Sequence, residues 1–97
     1  MRLRFTPRAA ENITAAADYI RTRNPAAALK VRAAILENLQ NLVLFPQAGR
    51  PQQTEGVRKL VIRKYTYVIY YTMDEAADEI VILSVKHPAQ EREHEDA

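Results

Sequence analysis

Apolar and polar residues alternate along Arg2-Leu3-Arg4-Phe5, which predicts a short first strand with Leu3 and Phe5 on one side and the arginines on the other. The period then lengthens. Ile13, Ala17 and Ile20 recur at helical spacing, in a stripe widened by Ala9, Ala10 and Ala16. Thr6-Pro7 supplies the start signal: threonine as N-cap, then proline at the first helical position, where its missing N–H costs nothing. Asn24-Pro25 repeats that signal, so one helix ends near Arg23 and a second runs from Pro25 to about Leu44. Arg21 and Arg23 suit the negative end of the first helix dipole. In the second helix Ala28, Val31, Ile35, Leu39 and Leu42 form one stripe, extended sideways by Leu29, Leu36 and Val43; a face that wide implies two neighbours. Alanine clusters at 15–17, 26–28 and 33–34 let the helices approach closely as an antiparallel hairpin, although alanine's intrinsic preference for helix explains most of the clustering.

Pro46 and Gly49 end the second helix and open an irregular connection to Gly56, long for a small domain. Three strands follow, at about Val57 to Ile62, Tyr67 to Met73 and Glu79 to Lys86, the last two joined by a turn over Asp74 to Asp78. Such short links imply antiparallel neighbours. The last two strands are apolar on both faces: Val68 and Tyr70 against Tyr67, Ile69 and Tyr71, then Ile80 and Ile82 against Val81, Leu83 and Val85. Helices can cover one face only. The other needs a partner chain, or tyrosines and the C-terminal tail, to close it. The expected fold is α+β, in the order β-α-α-β-β-β, with a helical hairpin packed on a small, mainly antiparallel sheet. The pattern leaves the neighbour of the first strand open.

A chain of 97 residues holds one domain, assigned to 1–90, with an acidic tail at 91–97 expected to be disordered. No apolar run approaches the ~20 residues of a membrane helix, and the N-terminus lacks the apolar stretch of a signal peptide. Cytoplasm is the default compartment. The absence of cysteine excludes disulfides and thiolate metal sites, and two histidines, one of them in the tail, make no metal site; no cofactor is expected. The formal charge of +2 conceals an asymmetry. The tail takes four of the 12 acids and one of the 14 bases, leaving 13 bases against 8 acids, +5, in the body. Basic charge is densest from Arg50 to Lys64, where Arg50, Arg58, Lys59, Arg63 and Lys64 face only Glu55. Such a patch attracts nucleic acid or an acidic protein surface, and it is equally well a solvated sheet rim.

Taken in order, Asn24-Pro25, Pro46 with Gly49-Arg50, Gly56-Val57-Arg58-Lys59-Leu60, the Tyr67 to Tyr71 strand and Val85-Lys86-His87 resemble the ParE branch of the RelE/ParE toxins. These are the small poisons of bacterial toxin–antitoxin pairs, and the resemblance runs from the first strand to Gln90. It implies a non-enzymatic toxin that inhibits DNA gyrase, with a docking surface in place of a catalytic pocket and no specific DNA binding of its own. Arginine and aromatic anchors suit such a surface. The candidate target-binding residues are Arg50, Arg58, Lys59, Arg63, Lys64, Tyr65 and Tyr67. The resemblance also implies a ParD-like antitoxin that lays a helix across the hairpin, with Ile13, Ala17, Ile20, Leu29 and Leu36 as candidate contacts, and then reaches the sheet.

Two alternatives stay open. Members of the RelE branch are ribosome-dependent mRNA endoribonucleases that need charge stabilisation of a pentavalent phosphate and a group to move the 2′-hydroxyl proton. Arg58, Arg63 and His87 are the catalytic candidates under that reading. The chain departs from the ribonuclease pattern in two places: Tyr67 stands where many of those members carry arginine, and Pro88-Ala89-Gln90 and acids follow His87 where they carry a tyrosine. The second alternative is an inactive relative that only binds its antitoxin.

Overall fold

The structure, a computed structural model, describes residues 1–87. The acidic tail assigned to 91–97 lies outside the described residues. The chain forms β1 (Arg2–Phe5), α1 (Pro7–Arg23), α2 (Pro25–Leu44), β2 (Arg50–Pro51), β3 (Val57–Ile62), β4 (Tyr67–Asp74) and β5 (Glu79–Lys86). Both helices start as the sequence predicts. Thr6 Oγ1 accepts from the Ala9 amide at 3.1 Å ahead of Pro7, and Asn24 Oδ1 accepts from the Ala27 amide at 3.2 Å ahead of Pro25. Asn24 serves both helices, because its own amide donates to the Ile20 carbonyl and closes α1. A one-residue junction leaves the helices no course but a tight hairpin.

One five-stranded sheet has the order β1-β5-β4-β3-β2. The expected antiparallel ladders join β3, β4 and β5, while β1 settles the open question by pairing parallel to β5. The short β2 is an addition to the predicted elements: Arg50 and Pro51 pair with Lys59 and Arg58 inside the connection read as irregular. Proline is tolerated there because β2 is an edge strand.

The helices lie on one face of the sheet. Ala9, Ala16, Val31, Ile35, Leu39 and Leu42 pack there against Ile62, Tyr67, Ile69, Tyr71, Ile80, Ile82 and Val85. Val85 corrects the alternation read from sequence, which set it on the face of Val81 and Leu83. A β-bulge opens between Tyr70 and Tyr71, opposite Ser84 and Ile82, so Leu83 is the extra residue and every side chain beyond it changes face. The start of α1 stitches this bulge. Thr6 Oγ1 donates to the Leu83 carbonyl at 2.9 Å, the Thr6 amide donates to the Ile82 carbonyl, and the Val85 amide donates to Asn12 Oδ1 at 3.1 Å. No helix among the described residues is long and apolar enough to cross a membrane.

Candidate functional site

Directly paired residues of antiparallel strands share a face, so the register fixes what the side of the sheet away from the helices presents. One row reads Arg50, Lys59, Tyr70, Ser84, and the next reads Val61, Val68, Lys86. Lys59 Nζ and Lys86 Nζ each lie 5.9 Å from the centre of the Tyr70 ring. Arg63 and Lys64 are exposed in the turn between β3 and β4, next to Val61 and Val68, and Lys64 Nζ lies 5.5 Å from the Tyr65 ring. The positive rim is therefore a face: two lysines around one tyrosine, Arg50 next along the row, and two more cations at its end. Val68, Val81 and Ser84 on this face are buried in the chain by itself, without a partner chain.

The remaining target candidates sit elsewhere. Arg58 pairs with Tyr71 and points to the helix side, where its Nη1 donates to the carbonyls of Gly49 at 2.7 Å and Gln47 at 3.2 Å. Tyr71, fully buried, completes the clamp: its hydroxyl accepts from the Gly49 amide at 2.9 Å and donates to the Pro46 carbonyl at 2.7 Å. The Pro46 to Arg50 segment is thus tied down at three carbonyls and one amide. Glycine is required at 49, since a Cβ there would meet Tyr71 Cε1 at 2.7 Å, its hydroxyl at 2.8 Å and the Lys59 carbonyl at 3.0 Å. The clamp sets Arg50 into its pairing with Lys59. Arg58, half-buried, serves as a clamp on that loop.

Tyr67 is likewise a core residue, only 4% exposed, and Tyr65 packs against the core from the turn. Burial pushes the Tyr67 hydroxyl above the ordinary tyrosine range, and the Tyr19 phenol adds to the rise. His87 rests edge-on against Tyr67, with ring centres 5.4 Å apart. The ribonuclease candidates are spread out as a result. Arg58 lies beside Tyr71 and His87 beside Tyr67, four residues apart on β4, or about 13 Å. Arg63 stands exposed in the turn.

On the far side of the hairpin, α1 and α2 flank a groove of about 530 Å³ lined by Phe5, Ile13, Ala17, Ala28, Val31 and Leu36, with Asp18, Arg21 and Arg32 at its rim. Ile13, Ala17 and Leu36 of the antitoxin candidates line it. Ile20 packs against the core instead, and Leu29 stands 71% exposed outside the groove. Small side chains make the groove, because Ala10, Ala17 and Ala28 leave room that larger residues would fill.

Sequence reasoning missed three members of these surfaces. Tyr70 and Lys86 were passed over as strand residues, although cross-strand pairs lead from Lys59 to Tyr70 and from Val61 through Val68 to Lys86. Phe5 was placed only on the side of Leu3, and it lines the groove at 39% exposure.

Residues 3–92 match the family described as the ParE toxin of the type II toxin–antitoxin system parDE. A protein of Sinorhizobium fredii named "Putative toxin Y4kP" is 32% identical over 90 residues, covering 93% of this chain and 91% of its own. Among solved structures, a chain of the chromosomal ParDE toxin–antitoxin system from P. aeruginosa superposes with a TM-score of 0.77 at 30% identity, over 90% of this chain and 95% of that one. A chain of the E. coli RelBE complex superposes at 0.67 with 18% identity, over 89% and 94% of the two chains, and shows the shared fold. A chain of the RelBE2 toxin–antitoxin complex from Mycobacterium tuberculosis gives 0.63 at 27%, over 89% and 95%. The chain belongs to the ParE toxin family of type II toxin–antitoxin systems, within the RelE/ParE superfamily.

Proposed function

We propose that this toxin acts without bond chemistry, docking its cationic sheet face on DNA gyrase and stalling it, and that a ParD-like antitoxin silences it through the helical groove. The observation that carries the first half is the engagement of Arg58. A ribonuclease needs a guanidinium facing the scissile phosphate and a proton-transfer group within reach of the same ribose. Here the Arg58 guanidinium is bound to two loop carbonyls beside Tyr71, and His87 rests against buried Tyr67, four residues away on β4. Charge on a rigid surface remains, in Lys59 and Lys86 around Tyr70 and Arg50 next along the row, with Arg63 and Lys64 beside them.

The antitoxin half rests on the groove, which is long, apolar and rimmed by charge, the form that an amphipathic helix fills. Solved relatives of this fold are named as parts of ParDE and RelBE systems, which supports a protein partner of that kind. Hydrogen exchange on the complex is expected to show added protection in α1 and α2 around Ile13, Ala17 and Leu36. Unchanged exchange there would remove the groove as the seat.

The decisive experiment is a supercoiling assay with gyrase and antitoxin-free toxin. Loss of supercoiling with enzyme-linked broken DNA is the expected result. Intact gyrase activity, together with messages cut during translation and rescued by His87→Ala, overturns the reading in favour of the ribonuclease. If neither occurs and induced cells keep growing, the chain is only an antitoxin-binding relative.

A further inference from the structure

The end of β5 that carries Lys86 is held from two sides. Toward β4, Ser84, Val85 and Lys86 pair with Tyr70, Ile69 and Val68. On the other side β1 reaches only to the level of Ile82, because Phe5 is its last residue. From there α1 takes over as the neighbour. The Thr6 amide donates to the Ile82 carbonyl, Thr6 Oγ1 donates to the Leu83 carbonyl at 2.9 Å, and Asn12 Oδ1 accepts from the Val85 amide at 3.1 Å. Asn12 thus grips the backbone one residue before Lys86.

The bulge gives that grip a consequence. Ile82 and Val85 both pack toward the helices although they stand three residues apart, which plain alternation forbids. Were Leu83 drawn back into alternation, Val85 would fall opposite Val68 and Lys86 opposite Tyr67, and the lysine would turn to the helix side. Val85 is the last β5 residue in the core, one short of the strand's end, so packing guards this register least where Lys86 sits. We infer that Asn12 is a positioning residue for the cationic face: by holding the Val85 amide it keeps Lys86 outward, with Nζ 5.9 Å from the centre of the Tyr70 ring. One helix therefore serves both surfaces, because Ile13, next to Asn12, lines the groove. The consequence for activity rests on the reading of this face as the target surface. The placement of Lys86 does not.

Lys59 Nζ lies at the same 5.9 Å from Tyr70 but on β3, away from the bulge, and so provides an internal standard. In NMR spectra of the natural chain the side-chain Hε protons of both lysines should be displaced upfield by the ring, relative to those of exposed Lys30. Asn12→Leu keeps the bulk and removes the acceptor. The Lys86 displacement is expected to fall by more than half while that of Lys59 stays, with faster hydrogen exchange at the Val85 amide. Asn12→Asp, whose carboxylate can accept the same bond, should restore both readings. Target inhibition should drop in Asn12→Leu and return in Asn12→Asp. An unmoved Lys86 in a folded Asn12→Leu protein overturns the inference. So does an equal loss at both lysines, which would mean general loosening, or a failure of Asn12→Asp to restore Lys86. If Asn12→Leu does not fold, Asn12→Ala, which lets water reach the amide, takes its place with the same expected outcome. In the natural chain itself, a Val85 amide that exchanges as fast as the exposed Ala76 amide overturns the inference without any variant. Inhibition that persists after Lys86 has moved removes the functional role. A failed gyrase assay leaves the Lys86 readings unchanged, so the inference and the target reading fall separately.

Discussion

The two faces of the sheet are made by the same strands, one residue apart, and they do different work. Toward the helices, Ile69, Tyr71, Ile80, Ile82 and Val85 sit at 0–1% exposure under Leu39 and Leu42. Even the polar atoms there are used internally, since the Tyr71 hydroxyl and the Arg58 guanidinium hold the Pro46 to Arg50 loop. Away from the helices, the sheet presents Lys59 and Lys86 around Tyr70, with Arg50 next to Lys59. Removing side chains from the first face should therefore cost folding, and removing them from the second should cost function. The bulge at Leu83 is what keeps the faces apart, because it returns Val85 to the core and sets Lys86 outward.

The largest effect should come from the middle of the buried face. Leu39→Ala, at a position with 0% exposure, is expected to destabilise by about 3–4 kcal/mol, read as a lowered urea midpoint. In a domain this small that approaches the whole stability. A loss below about 1 kcal/mol would mean that the hairpin packs on the sheet more loosely than the burial implies.

Next comes the clamp, where the faces meet. Gly49→Ala drives a methyl into the Tyr71 ring and the Lys59 carbonyl, and the ring is fully buried and cannot swing aside. About 2 kcal/mol of stability should be lost, as in overpacked cores, with a parallel loss of target inhibition as Arg50 leaves its register. Tyr71→Phe tests the same clamp without the clash. It leaves the Gly49 amide and the Pro46 carbonyl short of a partner, at about 1–3 kcal/mol for a group stranded by burial. If Tyr71→Phe is harmless while Gly49→Ala is not, space governs the loop and hydrogen bonding does not.

The helices and main strands were legible because their signals are local. Thr6-Pro7 and Asn24-Pro25 state where helices begin, and both caps form as those residues dictate. The bulge was illegible because nothing in Ile82-Leu83-Ser84-Val85 distinguishes one extra residue from plain alternation; the cause lies seventy residues away, in Thr6 and Asn12. The hydrogen bonds of Arg58 were hidden for a related reason. A basic residue in a basic stretch looks like surface charge until register sets it under the carbonyls of Gly49 and Gln47. Composition located the cationic region, but only cross-strand pairing assembled Arg50, Lys59, Tyr70 and Lys86 from four strands into one patch.

On the outer face the expected stability effects shrink. Lys59→Ala should shift the unfolding free energy by no more than about 0.5 kcal/mol, the usual range for surface substitutions away from packed features. Its effect on target inhibition should be large by contrast, and the same change in Lys86 should act in the same direction. A Lys59→Ala protein that folds normally and still inhibits fully would dissolve the division of labour between the faces.

The smallest effect is invisible at neutral pH and tests the assignment of Tyr67 to the buried face. Burial raises its hydroxyl above the ordinary tyrosine value, with the Tyr19 phenol adding to the rise. In the unfolded chain the same group ionises near pH 10. Between those two values the unfolded state has released its proton while the folded state keeps it, so unfolding gains in favour as pH climbs. The contribution is therefore complete below about pH 10 and is lost as pH rises through the folded value. Urea midpoints measured from pH 9 to 11 should fall for the natural chain and fall less steeply for Tyr67→Phe, which has no proton to lose. Equal slopes would mean that the Tyr67 hydroxyl meets water, as a target-contacting tyrosine would, and would return it to the outer surface from which the fold has removed it.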